Sequence, residues 1–256
     1  MSKLMEMWDN CKKYHPFTPL LVFPYSRLFL ISYDNPIMSM DVERARFNMV
    51  EQQIRPWEVL DPKVLDLLFK LRREDYVPKA YKSLAFADLE IPIGDGEKML
   101  SPKLEARMLQ ELTIHADDRI LEIGTGSGYM TALLASQGAH VYSVDIVDAF
   151  TQSAGARLAQ HGIRNITLET GDAARGWDRH GPYDVIVLTG STPVLAEGFQ
   201  QSLKAGGRLF AVVGEAPAME AQLTTCVASG AYGIIGLFET VIPALRNAPQ
   251  HARFVF

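Results

Sequence analysis

Three closely spaced glycines, Gly124, Gly126 and Gly128, form the most informative group of residues in this 256-residue chain. They lie in the run LEIGTGSGY at 121–129, between a stretch that predicts a buried strand and one that predicts a helix. Glycine lets the backbone turn sharply and lets a ligand approach where a Cβ atom would collide with it. A loop of this kind, which also contains Thr125 and Ser127, is typical of a nucleotide-binding site.

Two kinds of nucleotide ligand compete for such a loop. A dinucleotide loop of the form GxGxxG needs its third glycine at position 129, which is Tyr129 in this chain. Glu122 precedes the first glycine by two residues, and a carboxylate there would repel a pyrophosphate at the helix N-terminus. The pattern therefore favours a ligand that has no phosphate and carries a positive charge, and S-adenosyl-L-methionine is such a ligand.

Further candidate ligand-binding residues follow the next predicted strands. Asp145 ends the next strand at the position from which a carboxylate binds ribose hydroxyls, and Ile146 follows it. Asp145 would also suit a cap on the following helix, but its spacing from Glu122 favours a binding role. The segment Gly171-Asp172-Ala173 could contact an adenine amine. Thr189, at the end of a later predicted strand, should face the same ligand crevice, which open α/β sheets form at the carboxyl ends of their strands.

The elements that must position these residues alternate between strands and helices. After two predicted N-terminal helices at 41–54 and 61–71, residues 102–113 predict a third. Further strands are predicted at 119–123, 140–144, 166–169, 183–188 and 208–213, with helices at 130–137, 150–161 and 193–203. This alternation predicts an α/β fold of the Rossmann-like kind with a mostly parallel sheet. Two apolar runs at 233–237 and 239–242 predict an antiparallel hairpin at one edge of that sheet.

The chain divides into three predicted segments. Residues 1–37 differ from the rest and are predicted to be an N-terminal extension. Residues 38–115 carry the three predicted helices that precede the alternating strands and helices, and residues 116–256 are predicted to form the S-adenosylmethionine-binding core.

Composition excludes several classes of function. The net charge is −5, so no broad basic surface is expected to hold nucleic acid. Two cysteines predict a reducing, cytoplasmic location rather than a disulfide framework. No stretch is apolar and long enough to span a membrane. The six histidines show no paired spacing, so no metal site is expected.

Several segments resemble the protein-L-isoaspartate O-methyltransferases, from about Val42 to Arg246. The run LEIGTGSGY at 121–129 is similar to that family's S-adenosylmethionine segment letter for letter. Other resembling runs are REDYVP at 73–78, IPIGDG at 91–96, YDVIV at 183–187, GGRL at 206–209 and VIPAL at 241–245. The resemblance implies a seven-stranded methyltransferase sheet and methylation of a carboxyl group. It also implies that residues 38–115 form a helical cap over the active site and an acceptor-side segment.

One segment departs from that family's pattern. The family signature is similar to GxGQTISxP, with its serine at the active site. Aligned on Gly94, Gly96 and Pro102, this chain has Glu97, Lys98 and Leu100 where the family has Gln, Thr and Ser. Ser101 is the candidate for the serine's catalytic role, although a shift of one residue in an extended segment turns a side chain to the opposite face.

The leading functional hypothesis is therefore an S-adenosylmethionine-dependent carboxyl O-methyltransferase that acts on L-isoaspartyl residues of damaged proteins. Its expected partner is a protein or peptide that carries a carboxylate, and not a nucleic acid or a membrane. The alternatives are a methyltransferase of the same family with a different acceptor, and a non-catalytic module that binds S-adenosylmethionine. An NAD-dependent oxidoreductase is a more distant alternative.

Overall fold

The computed structural model describes residues 36–252, and the predicted extension at 1–37 lies almost entirely outside that range. Helix α1 (Pro36–Asn48) continues into a wider π-helical segment at Met49–Ile54, so the predicted helix is present but changes its winding. Helix α2 (Pro62–Lys70) begins as predicted, with the Asp61 carboxylate accepting a hydrogen bond from the Lys63 amide at 2.8 Å.

A short hairpin precedes the third helix. Strands β1 (Ile91–Gly94) and β2 (Glu97–Met99) pair antiparallel, and helix α3 (Pro102–Leu112) follows. The sequence predicts only turns at 91–96, because strands of three or four residues carry too short a pattern to be distinguished from a turn. This hairpin brings residues 97–101, the segment that differs from the family pattern, next to the sheet.

The predicted parallel sheet is confirmed. Strands β3 (Arg119–Ile123), β4 (His140–Asp145), β5 (Ile166–Thr170), β6 (Tyr183–Leu188) and β7 (Leu203–Glu215) run parallel to one another. Strands β8 (Ala218–Ala228) and β9 (Ala231–Glu239) complete it in antiparallel pairing, in the order β5-β4-β3-β6-β7-β8-β9. Helices α4 (Tyr129–Ala135), α5 (Asp148–Gln160) and α6 (Glu197–Gln201) connect the strands.

Two predictions for the C-terminal part were wrong. The predicted hairpin at 233–237 and 239–242 is instead formed by β8 and β9, and the chain leaves the sheet after Glu239. Strand β8 lacks an apolar run because small and polar residues, such as Ala221 and Thr224, occupy its buried positions. The predicted helix at 193–203 is limited to α6, and Leu203 already belongs to β7.

Side chains of the central strands alternate between two buried layers. Ile120 packs on one face of β3 with the helices of the N-terminal half and with α4, whereas Leu121 and Ile123 pack on the other. Contacts place Ser39 onward in one unit, which contains both the predicted cap and the predicted core. The division between cap and core at residue 115 stays a prediction.

Candidate functional site

The loop of residues 124–128, called the glycine loop below, connects β3 to α4. Gly124 has a φ of +98°, and a Cβ atom on it would collide with Thr189 Oγ1. Gly128 has a φ of +83°, and a Cβ atom there would lie 2.9 Å from the Cβ of Ala154 on α5. Both positions therefore require glycine for backbone conformation and for close packing.

Glu122 lies beneath this loop and does not line a cavity. Its position on β3 points it to the same face as Ile120, where Thr131 of α4 donates a hydrogen bond to Oε2 at 2.5 Å. Burial raises the pKa of Glu122 to about 8, although the hydrogen bond from Thr131 opposes this shift. The expectation that Glu122 faces the ligand crevice as a carboxylate is therefore not met, and its contact is with the helix that supports the loop.

Asp145 ties the loop to the end of β4. Its Oδ2 accepts a hydrogen bond from the Gly126 amide and its Oδ1 from the Val147 amide, both at 2.9 Å. Burial raises the pKa of Asp145, and these two backbone hydrogen bonds oppose the shift. The bond to Val147 organises the start of α5, so the proposed binding residue also has the local structural role that the sequence left open.

A cleft of about 700 Å³, called the main cleft, opens at the carboxyl ends of the central strands. This is the edge at which open α/β sheets bind ligands. Among the predicted binding residues, those that line it are Gly124, Asp145, Ile146, Gly171, Asp172, Ala173 and Thr189. Thr125 and Ser127 line a side cavity of about 300 Å³, which shares Gly124 and Thr189 with the main cleft. Glu122, Gly126 and Gly128 line neither cavity. The two glycines belong to the glycine loop itself, and Glu122 contacts the helix that follows it.

Sequence reasoning missed part of this lining. Val147 of the β4–α5 connection and Phe150 in the first turn of α5 lie at the main cleft, as does the segment Pro243–Arg246 after β9. The sequence predicts a strand at 239–242, whereas the chain leaves the sheet after Glu239 and the residues that follow form a wall of the cleft. Leu245 of this wall packs closely against Gly190, where a Cβ atom would lie 2.9 Å from Leu245 Cδ2. A glycine directly after the predicted strand at 183–188 is the sequence feature that fits this close approach.

The acceptor-side segment is split between different cavities. Leu100 is buried and lines both the main cleft and the side cavity. Ser101 instead lines an outer cavity with Trp57 and Phe238, and its side chain makes no capping hydrogen bond to α3. The structure therefore does not support Ser101 in the predicted catalytic role, because the one-residue shift turns it away from the main cleft.

Ion pairs cross the mouth of the main cleft. Arg246 Nε donates to Glu97 Oε1 at 2.7 Å, and Arg246 Nη2 donates to Asp95 Oδ2 at 2.8 Å. Lys98, on the same hairpin, pairs with Glu90 at 2.9 Å. Both cations that line the cleft are thus already paired with carboxylates, and the residues that line it form no cationic cradle for a phosphate group.

The carboxylates and apolar groups of the main cleft suit a nucleoside that carries no phosphate. Asp172 lines the cleft together with Asp145, on the neighbouring strand end, and its Oδ2 accepts from Asn247 Nδ2 at 2.9 Å. Ile146 and Phe150 provide an apolar surface for a planar ring. Within residues 36–252, no group of His, Cys, Asp and Glu side chains could hold a metal ion, and no helix could cross a membrane.

Comparison with known proteins identifies the family. Residues 44–234 match the family described as protein-L-isoaspartate(D-aspartate) O-methyltransferase (PCMT). The chain belongs to this family. A relative from Methanoculleus marisnigri, named protein-L-isoaspartate O-methyltransferase, is 40% identical over 171 residues. The match covers 67% of this chain and 78% of the relative. Another, in Protochlamydia amoebophila, is 37% identical over 174 residues, with 68% and 82% coverage.

Solved structures agree with the fold. A Plasmodium falciparum protein assigned as a PCMT, solved with S-adenosyl-L-homocysteine, has a TM-score of 0.68 at 17% identity and covers 80% of this chain and 97% of its own. A structure named protein-L-isoaspartate O-methyltransferase has a TM-score of 0.66 at 23% identity, with 79% and 65% coverage. The predicted enzyme class, an S-adenosylmethionine-dependent methyltransferase with a Rossmann-like fold, is confirmed.

Proposed function

We propose that this PCMT-family protein methylates the free carboxylate of L-isoaspartyl residues in damaged proteins or peptides. The observation that carries the proposal is the family match over residues 44–234. The glycine loop and the main cleft, which suit S-adenosylmethionine, are consistent with it. The expected partner is a polypeptide, and the expected location is the cytoplasm.

The cofactor-side roles follow from the lining of the main cleft. We assign the ribose hydroxyls to Asp145 and the adenine amine to Asp172, with the apolar side chains of Ile146 and Phe150 beside the ring. Gly124 and Thr189 border both the main cleft and the side cavity, and we therefore assign the reacting end of the ligand to the space between the two. S-adenosylmethionine, when bound, supplies an electrophilic methyl group on a sulfonium.

The acceptor side requires alignment rather than acid–base chemistry. A carboxylate is already ionised at neutral pH, because its ordinary pKa is about 4, and it needs no general base. The protein must hold the attacking oxygen in line with the methyl carbon and exclude water from it. Leu100 provides a buried apolar wall at this point, where a carboxylate loses hydration and becomes a better nucleophile.

A specific observation favours a second candidate, a carboxylate acceptor other than isoaspartate. Leu100 stands where the family pattern has a serine, and Ser101 lines a different cavity. A hydroxyl that could donate to the acceptor carboxylate is therefore missing from this position.

The test is transfer of labelled methyl groups to an L-isoaspartyl peptide, with the matching L-aspartyl peptide as control and a crude lysate in parallel. Base-labile label on the isoaspartyl peptide alone would support the proposal. Label in the lysate but not on that peptide would favour the second candidate. In that case Leu100→Ser should raise transfer to the isoaspartyl peptide, and a Leu100→Ala control of similar size should not.

A further inference from the structure

Arg73 is almost fully buried, at 1% exposure, and lies outside the main cleft. Its guanidinium makes three hydrogen bonds to groups on different segments. Nη1 bonds to the Glu105 carboxylate, Nη2 donates to the Leu100 carbonyl oxygen at 2.6 Å, and Nε donates to the Ala85 carbonyl oxygen at 3.0 Å. Every nitrogen of the guanidinium is therefore bonded to a fixed partner.

The partners of Arg73 belong to both sides of the proposed reaction site. Leu100 forms the acceptor-side wall of the main cleft and side cavity. Glu105, on α3, lines the side cavity together with Gly124. The Arg73 Cζ atom also lies 5.2 Å from the ring centroid of Tyr129, the first residue of α4 after the glycine loop. Arg73 thus touches the acceptor wall and the helix that anchors the donor loop.

Stability alone does not account for this arrangement. Burial raises the pKa of Glu105 to about 7, and the charge of Arg73 opposes this shift. A buried ion pair loses so much hydration that an apolar pair of similar volume is often as stabilising. An apolar side chain, however, could not bond the Leu100 carbonyl oxygen. The planar fork of arginine can bind a carboxylate and a backbone carbonyl at the same time, in fixed directions.

We propose that Arg73 is a positioning residue for methyl transfer, which fixes the Leu100 backbone and thereby the distance between the acceptor wall and the glycine loop. The inference rests on the proposed function, since it concerns how that acceptor site is held. Misplacement of reacting groups by 1 Å is sufficient to slow an enzyme about a hundredfold. A tether on the acceptor wall should therefore affect the rate of transfer more than the binding of the cofactor.

The test compares Arg73→Lys with Arg46→Lys. Lysine at position 73 retains a charge that can face Glu105, but its single nitrogen cannot reproduce the rigid fork by which three separate nitrogens bond Glu105 and the carbonyl oxygens of Leu100 and Ala85. Arg46 is a matched control, because it is 2% exposed and pairs with the buried Glu74 at 2.5 Å, and its hydrogen bonds reach neither Leu100 nor Glu105. The readouts are kcat and KM for the peptide, Kd for S-adenosyl-L-homocysteine, and Tm.

For Arg73→Lys we expect kcat to fall about tenfold to a hundredfold, while Kd for S-adenosyl-L-homocysteine stays close to that of the wild type. Arg46→Lys should lose a comparable amount of Tm and retain the wild-type kcat at a temperature where both variants are folded. If kcat of Arg73→Lys falls no further than that of Arg46→Lys, Arg73 is merely structural and the inference is overturned.

Two further arms keep the outcome decisive. If Arg73→Lys does not fold, replacing the Leu100–Ser101 amide with an ester weakens the Leu100 carbonyl as an acceptor and leaves Arg73 in place. A kcat equal to that of the wild type would then overturn the inference. Failure of the proposed function would appear in the wild type itself, as no transfer to the isoaspartyl peptide. The same comparison of variants would then use the acceptor that is labelled in lysate.

Discussion

Two carboxylates near the glycine loop, Glu122 and Asp145, differ in environment and therefore in what they can do. Asp145 accepts two backbone hydrogen bonds and borders the main cleft, so it can accept further hydrogen bonds from a ligand. Glu122 is fully buried, accepts from Thr131, and has a carboxyl oxygen, Oε1, without a hydrogen-bond partner. A group of this kind is favoured in its neutral form, which donates as well as accepts a hydrogen bond.

Glu122 should make the stability of the protein depend on pH. Burial raises its pKa from an ordinary value of 4.5 to about 8, so between these values the folded protein binds this proton more tightly than the unfolded chain does. The free energy of unfolding contributed by this group should therefore fall as pH rises through this window, by up to about 1.4 kcal/mol per pH unit. Glu122→Gln removes the titrating group and retains an acceptor for Thr131.

We therefore expect Glu122→Gln to stabilise the protein relative to the wild type at pH 8, and the difference to shrink toward pH 5. Denaturant unfolding of both proteins at several values between pH 5 and pH 8 measures this difference directly. A difference that does not change across this range would show that Glu122 does not titrate there.

At the scale of elements, the glycine loop depends on its contact with the end of β6. Thr189 Oγ1 donates to the carbonyl oxygens of Ile123 and Gly124, at 2.9 and 2.8 Å. Gly124→Ala would force this hydroxyl out of place and add about 1–2 kcal/mol of strain, because alanine is unfavourable at positive φ. We expect affinity for S-adenosyl-L-homocysteine, measured by calorimetry, to fall at least about tenfold, which corresponds to about 1.4 kcal/mol.

Gly206→Ala is the matched control for this substitution. Gly206 has a φ of +81°, and a Cβ atom on it would meet nothing within 4 Å. The Gly206→Ala variant should show a similar loss of stability from backbone strain, without any loss of affinity for S-adenosyl-L-homocysteine. Equal affinities in the two variants would mean that the Thr189 contact does not shape the binding site.

The hairpin of β1 and β2 is joined to the segment after β9 through Arg246. Its bonds to Asp95 and Glu97 lie beside the main cleft and are partly exposed, so these ion pairs are weak and weaken further in salt. Arg246→Ala should therefore raise the dissociation rate of S-adenosyl-L-homocysteine modestly, and most clearly at low ionic strength, where exposed charges are screened least. Arg179→Ala removes another exposed arginine, which pairs with Glu169, and should leave this rate unchanged. If Arg246→Ala and the wild type release S-adenosyl-L-homocysteine at the same rate at low salt, these ion pairs do not help to retain the ligand.

The elements that could be predicted from the sequence are those whose own residues carry the signal. Helix α2 has a cap, a proline and an apolar face within nine residues, and the glycine loop combines its spacing with a strand and a helix. Strand β8 and the β1–β2 hairpin depend on partners elsewhere in the chain, and their own patterns are weak. The burial of Glu122 and the role of Arg246 could not be predicted, because both follow from contacts with residues that are distant in sequence or on another element.

At the scale of the whole molecule, the described residues of the site can be compared with the family match and with the core. The described residues that line the main cleft extend from Glu97 to Arg246, the family match begins at residue 44, and the described buried hydrophobic core begins at Met49. Residues 1–37, predicted to be an N-terminal extension, precede the family match, and we expect cofactor binding not to need them.

A chain that starts at Met38 tests this prediction. We expect it to bind S-adenosyl-L-homocysteine with the affinity of the full chain and to unfold within about 3 °C of it, a shift of less than about 1 kcal/mol for a protein of this size. Calorimetry and thermal unfolding of the two chains measure both quantities, and methyl transfer to the isoaspartyl peptide provides a third comparison. Loss of binding in the shorter chain would assign residues 1–37 to the functional unit. Loss of transfer with binding retained would place their contribution on the acceptor side.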